Sequence, residues 1–326
     1  MMHSLKEMNN SSNYKNPFAI LSWLNLGIGL LMLIWQMYFG GLTASFQISY
    51  FAIMLLLTGI PHGGLDHVIA KNTAVMQKKK FTLSFFLKRY LLVIAIYSMC
   101  WMTFPALSLL FFIVISAWHF GETDITYVNQ KIFLSISRFC WGAFVLLLIL
   151  LMHQKDTTEV LIRISKKSNQ IIYLWQACIN NDRIILIAAA TLNVILLGTA
   201  YLTNQLKFPI TRLINLLVIL IITIFLPLLP AFALYFGGWH AIRSFELIFN
   251  FLNKKDNIIV KNPLIMWAKS LPMSILAGAG FLIALAIWNK SDITWDPLPL
   301  VFIFLSVITL PHLDVMDQMT RKKSSL

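Results

Sequence analysis

The chain has 326 residues, of which 58% are hydrophobic and only 12% charged, with a mean hydropathy of +0.75. A soluble domain carries about 45–50% apolar and about 25% charged residues. So much apolar surface cannot be buried in one core of this size, which excludes soluble globular, disordered and disulfide-scaffold classes. Lys+Arg 26 against Asp+Glu 13 gives a net charge of +13. The basic residues lie between apolar runs, where membrane topology and anionic headgroups account for them better than a nucleic acid does. No nucleic-acid partner is expected. Cys100, Cys140 and Cys178 form no CxxC or zinc spacing and read as packing residues.

In chain order, a polar N-terminal tail over 1–17 leads into the first apolar run. That run lacks a small-residue cleavage site and reads as an anchor. Spans are expected at about 18–38, 46–69, 85–104, 106–121, 132–152, 184–202, 212–229, 231–252, 264–288 and 298–314. That is about ten, with eight or nine if the shorter ones are re-entrant. Leu226-Pro227-Leu228-Leu229-Pro230 marks either a tight turn or a kink. The expected fold is an all-α polytopic transmembrane helix bundle, one integral-membrane domain over 18–317 with a basic tail over 318–326. No internal repeat is visible.

Basic clusters at Lys71, Lys78–Lys80, Lys88 and Arg89, at Lys254, Lys255 and Lys261, and at Arg321–Lys323 set an orientation. Ten spans with both termini cytoplasmic place all three clusters inside, as the positive-inside rule requires. A multi-pass protein of the cell (inner or plasma) membrane is expected. The segment 153–183 breaks the pattern, falling outside yet holding Lys155, Arg163, Lys166, Lys167 and Arg183. Ile162, Ile171, Ile172, Leu174 and Trp175 give part of it an amphipathic, surface-lying character.

Ionisable residues inside apolar spans are costly and by default mark function. Four polar islands stand out. Pro61-His62-Gly63-Gly64-Leu65-Asp66-His67 ends the second span, with His62 and Asp66 one helical turn apart. Ala117-Trp118-His119-Phe120-Gly121-Glu122-Thr123-Asp124 ends the fourth. Gly237-Gly238-Trp239-His240-Ala241-Ile242-Arg243-Ser244-Phe245-Glu246 spaces His240, Arg243 and Glu246 by three. Pro311-His312-Leu313-Asp314 ends the last span and echoes Pro61-His62. His3 and His153 have ordinary tail and interface settings. Imidazole is the commonest transition-metal ligand and suits iron, copper and zinc. Asp66, Glu122 and Glu246 are placed to fix ring tautomers from behind.

Other chemistries fit less well. Dense HxxxH and HxxHH runs of diiron enzymes are missing, and Lys88 and Lys269 lie near span ends rather than mid-span, where a retinal Schiff base would need one. A transporter would show matched, interrupted halves.

PHGGLDH, SAWHFGETD, GGWHAIRSFE and PHLDVMD, in that order over about residues 50–317, resemble the Brp/Blh family of membrane carotenoid oxygenases. The resemblance implies an enzyme that cleaves β-carotene at its central 15,15′ double bond with O₂, using histidine-held non-haem Fe(II), to give two all-trans retinal. It implies His62, His119 and His240 as iron ligands. The family carries a second histidine one turn after the third position, where this chain has Ser244. Serine is a poor ferrous ligand, so the fourth ligand is open among Ser244, His312 and His67. Substrate-lining guesses, from their places beside candidate ligands, are Trp118, Phe120, Trp239 and Phe245. Expected partners are β-carotene, O₂ and membrane lipids, with a retinal-binding rhodopsin as a candidate product acceptor. The alternative reading is a non-enzymatic polytopic protein that binds or transports a metal ion or lipid.

Overall fold

The computed structural model describes residues 17–126, 132–165, 168–206, 210–253, 260, 262–289 and 297–321. Lys166, Lys167, Lys254, Lys255, Lys261, Asp292, Asp296 and most of the two polar tails lie outside the described residues. All regular structure among the described residues is helical apart from one isolated bridge residue. The helices are α1 (Pro17–Tyr38), α2 (Ala44–Met76), α3 (Leu83–Thr103), α4 (Pro105–Asp124), α5 (Ile132–Met152), α6 (Gln154–Ile164), α7 (Asn169–Asn180), α8 (Asp182–Leu202), α9 (Ile210–Phe225), α10 (228–252), α11 (Pro263–Asn289) and α12 (Pro297–Arg321).

Eight of these helices are long and apolar enough to cross a membrane: α1, α2, α3, α4, α5, α8, α11 and α12. α9 has 16 residues and falls short of the roughly 20 that a straight span needs. α10 is interrupted. The ten expected spans thus coincide with helices, eight of them spanning by length. Leu226–Pro227 is a break between α9 and α10, not a kink in one helix. The 153–183 segment forms α6 and α7, whose Ile164, Ile171 and Trp175 turn inward while Tyr173 and Leu174 stay exposed.

Side chains such as Leu31, Met99, Ile187 and Ile275 are exposed on the outer faces. In water that would be ruinous, but against lipid tails it costs nothing. Helices in lipid associate through close packing and internal hydrogen bonds. Glycines supply the closeness between α4 and α5. A Cβ on Gly121 would lie 1.8 Å from the Arg138 carbonyl oxygen, and one on Gly142 1.8 Å from the Ala117 carbonyl oxygen. The two backbones touch, and His119 sits beside this crossing.

Two helices change winding. α2 runs as α-helix over Ala44–Met54, as a π-helical segment over Leu55–Gly59, and as α-helix again over Ile60–Gly63 before a turn at Gly64–Leu65. Pro61 has no N–H to offer the Leu57 carbonyl four residues earlier. The Trp267 indole N–H of α11 donates to that carbonyl instead, at 2.7 Å. α10 carries a second π-helical segment over Phe236–Ala241. The two widened segments face one another. A Cβ on Gly59 would come within 2.9 Å of the Phe236 ring, and one on Gly237 within 2.8 Å of Met54 Cβ. π-Bulges re-aim side chains and concentrate at functional sites. Here they hold His62 and His240.

Candidate metal centre

Each of four helices brings one histidine to a single interior point. His62 follows the α2 π-segment, His119 lies in the last turns of α4, His240 sits in the α10 π-segment, and His312 follows Pro311 in α12. All four are buried, with no more than 4% of any residue exposed. His119 lies with its ring centre 4.7 Å from that of His240 and 4.9 Å from that of His312. His62 lies 4.9 Å from His312, 5.6 Å from His240 and 6.3 Å from His119. His62, His119 and His312 can each point one ring nitrogen so that all three lie within 4.8 Å of one another. Among the described residues this is the one such metal-competent group, and His240, expected as a ligand, lies beside it but outside it.

Hydrogen bonding orients two of the rings. His312 Nδ1 is 2.7 Å from Asp66 Oδ1, and Tyr90 donates its hydroxyl to Asp66 Oδ2 at 3.0 Å. A carboxylate acceptor at Nδ1 places the proton there and leaves the Nε2 lone pair free. His62 Nδ1 faces the Thr58 carbonyl at 3.3 Å. Nε2 of His312 and both ring nitrogens of His119 and of His240 are buried without a partner. A buried polar atom left unpaired costs about 1–3 kcal/mol. Several converging at one point have the chemistry of a ligand set for a divalent transition metal.

The other expected residues fall in different places. His67 is half-buried, with Nδ1 3.1 Å from the Gly64 carbonyl, and does not join the cluster. Ser244 is fully buried one turn after His240, its hydroxyl unpartnered. Asp66 backs His312 as a tautomer-fixing carboxylate would. Glu122 instead accepts from the Thr320 hydroxyl. Glu246 pairs with Arg212 at 2.9 Å and Arg243 at 2.6 Å.

Asp124 closes the same motif as His119, and its role could not be assigned from the sequence. Its Oδ2 accepts from Trp141 Nε1 at 3.1 Å and the Tyr235 hydroxyl at 2.8 Å, and its Oδ1 from Trp239 Nε1 at 3.0 Å. This one carboxylate pins the end of α4 to α5 and to the α10 π-segment, and so fixes His119 against His240. Tyr90, too far along the chain to be linked with Asp66 by spacing, was missed.

A cavity of about 730 Å³ opens at His62, His119 and His312. Its walls are almost wholly apolar, with Phe112, Phe232, Phe302 and Trp101 among them. It follows α3 from Phe86 to Met102, about 24 Å of helix. Phe120 lines it and packs 4.7 Å from the His240 ring. Trp118, Trp239 and Phe245 are not among its described lining residues. Trp118 directly precedes His119, about 100° round the helix from it, and Trp239 directly precedes His240 in the π-segment. Phe245 packs in a separate core around Ile248 and Met316.

The sequence profile of the β-carotene 15,15′-dioxygenase family matches residues 53–320. A relative named β-carotene 15,15′-dioxygenase, from uncultured marine bacterium 66A03, is 26% identical over 280 residues, covering 83% of this chain and 94% of the relative. No solved structure matches. The matched region contains all four histidines, and on that ground the chain belongs to the β-carotene 15,15′-dioxygenase family.

Proposed function

We propose that this protein is a membrane carotenoid cleavage oxygenase, splitting β-carotene at its 15,15′ double bond with O₂ to give two all-trans retinal. The observation that carries the reading is the cluster of buried imidazoles with unpartnered nitrogens at the wall of a long apolar cavity, in a chain of this family. The proposed ligands are His62, His119 and His312, whose ring nitrogens gather within 4.8 Å of one another, with His240, its ring centre 4.7 Å from that of His119, as the fourth; His312 stands in for the family histidine replaced by Ser244. Bound there, non-haem Fe(II) would supply the activation of O₂.

The chain's own residues do the rest. Asp66, braced by Tyr90, keeps the Nε2 lone pair of His312 directed away from the carboxylate. The Thr58 carbonyl does the same for His62. Phe120 and the cavity walls exclude water and hold a substrate that has almost no polar atoms. Asp124 keeps α4 and α10 in register, so that the position of the double bond relative to the rings is fixed by the scaffold. The basic clusters between the spans support a position in the cell membrane with both termini cytoplasmic.

Expression in cells that accumulate β-carotene, followed by pigment chromatography, tests the activity. Retinal appearing as carotene falls is the expected result. Unchanged carotene in cells that make the protein would overturn the proposal and leave a binding or transport role.

A further inference from the structure

A second polar site lies outside the histidine cluster. α1, α9 and α10 enclose a pocket of about 130 Å³ lined by Ser22, Trp23, Thr211, Arg212, Arg243 and Glu246, among others. Arg243 is 7% exposed and Glu246 8%. Glu246 spends both its oxygens on the two guanidiniums, Oε1 on Arg212 and Oε2 on Arg243. Glu246 therefore bridges the two guanidiniums in the pocket wall. Arg243 Nε is buried with no partner. Asp124, the other carboxylate near Arg243, does not line the pocket and already accepts from Trp141, Tyr235 and Trp239.

The level in the membrane matters. Ser22 is five residues from the start of α1 at Pro17, about 8 Å of rise. Arg212 is two residues from the start of α9 at Ile210. Trp23 is exposed beside them, in the setting of an interfacial aromatic anchor. Guanidinium forks at headgroup depth match the oxygens of a phosphate group, while the Ser22 hydroxyl already donates to the Phe18 carbonyl at 3.1 Å. The volume suits one such group and not a lipid tail.

We propose that this pocket binds a phosphate group, held by Arg212 and Arg243 with Ser22 and Thr211 beside it, and that its source is the headgroup of an anionic phospholipid or free phosphate. The proposal does not rest on the metal centre. Native mass spectrometry of the full chain, released from detergent with mixed phosphatidylglycerol and phosphatidylcholine, tests it. Wild type should retain one phosphatidylglycerol in preference to phosphatidylcholine by about tenfold or more. Arg212→Gln and Ser22→Phe should each abolish that preference, the second by filling the pocket while leaving both arginines. If Arg212→Gln does not fold, Ser22→Phe decides alone. Inorganic phosphate that displaces the lipid, or binds without it, supports the site and names free phosphate as its source. No preference and no phosphate binding in wild type, or a wild-type preference in Ser22→Phe, overturns the proposal.

Discussion

His312 is the residue on which the centre turns. Its ring meets both His62 and His119, and it alone among the four has a carboxylate behind it. His312→Ala should therefore lose bound iron and retinal formation as completely as His119→Ala, measured by elemental analysis and chromatography. Asp66→Asn keeps the size but loses the charge that fixes the tautomer, and iron affinity should fall by about 10–100-fold. Ser244→His, at a fully buried position, should gain no iron and should destabilise the fold by about 1–3 kcal/mol through overpacking. The histidines themselves were legible in the sequence, because an imidazole in an apolar run is conspicuous. The resemblance already groups His62, His119 and His240, but that His312 joins them was left open, since His62 and His312 are 250 positions apart and only the bundle brings them together. The role of Asp124 was hidden for a related reason: its three donors come from α5 and α10, at no recognisable spacing.

At the level of elements, helix existence could be read from apolar length alone, but winding could not. Gly64 and the prolines announce disturbance, yet whether a helix kinks, breaks or widens depends on which neighbour takes up the freed carbonyl. At α2 it is Trp267. At the α9–α10 break it is His153, whose two ring nitrogens lie 2.6 Å from the Ile149 and Leu226 carbonyls. Treated as an ordinary interface residue from its sequence setting, His153 in fact ties the end of α5 to that break. His153→Ala should lower thermal stability by about 1–3 kcal/mol, the cost of stranding a buried acceptor. The glycines divide sharply. Gly142→Ala would drive a methyl into the Ala117 carbonyl and should prevent α4 and α5 from packing, with loss of folded protein by size-exclusion chromatography. Gly198→Ala meets nothing within 4 Å and should be neutral or stabilising by about 0.5–1 kcal/mol.

For the molecule as a whole, the low charged fraction foretold a membrane protein and the bundle follows. What composition could not show is that the polar residues it does contain converge. Unpartnered ring nitrogens in a dry interior are a standing cost that a bound ion removes, so metal content and stability are linked. Stripping metal from purified protein with a chelator should lower its melting temperature, and Fe(II) should restore it. An unchanged melting temperature would detach the histidines from metal binding.

The cavity's walls include residues that also face outward: Leu91 and Met102 on α3, and Leu276 and Ile287 on α11. Its mouth therefore opens sideways, between helices, into the hydrocarbon phase. A carotene arriving by that route never exists as an aqueous solute. The reaction is then two-dimensional, and its rate follows the mole fraction of carotene in the bilayer, not moles per litre of suspension. Adding inert phospholipid at constant carotene and constant protein should slow turnover in proportion to the dilution. Changing the aqueous volume should leave it untouched.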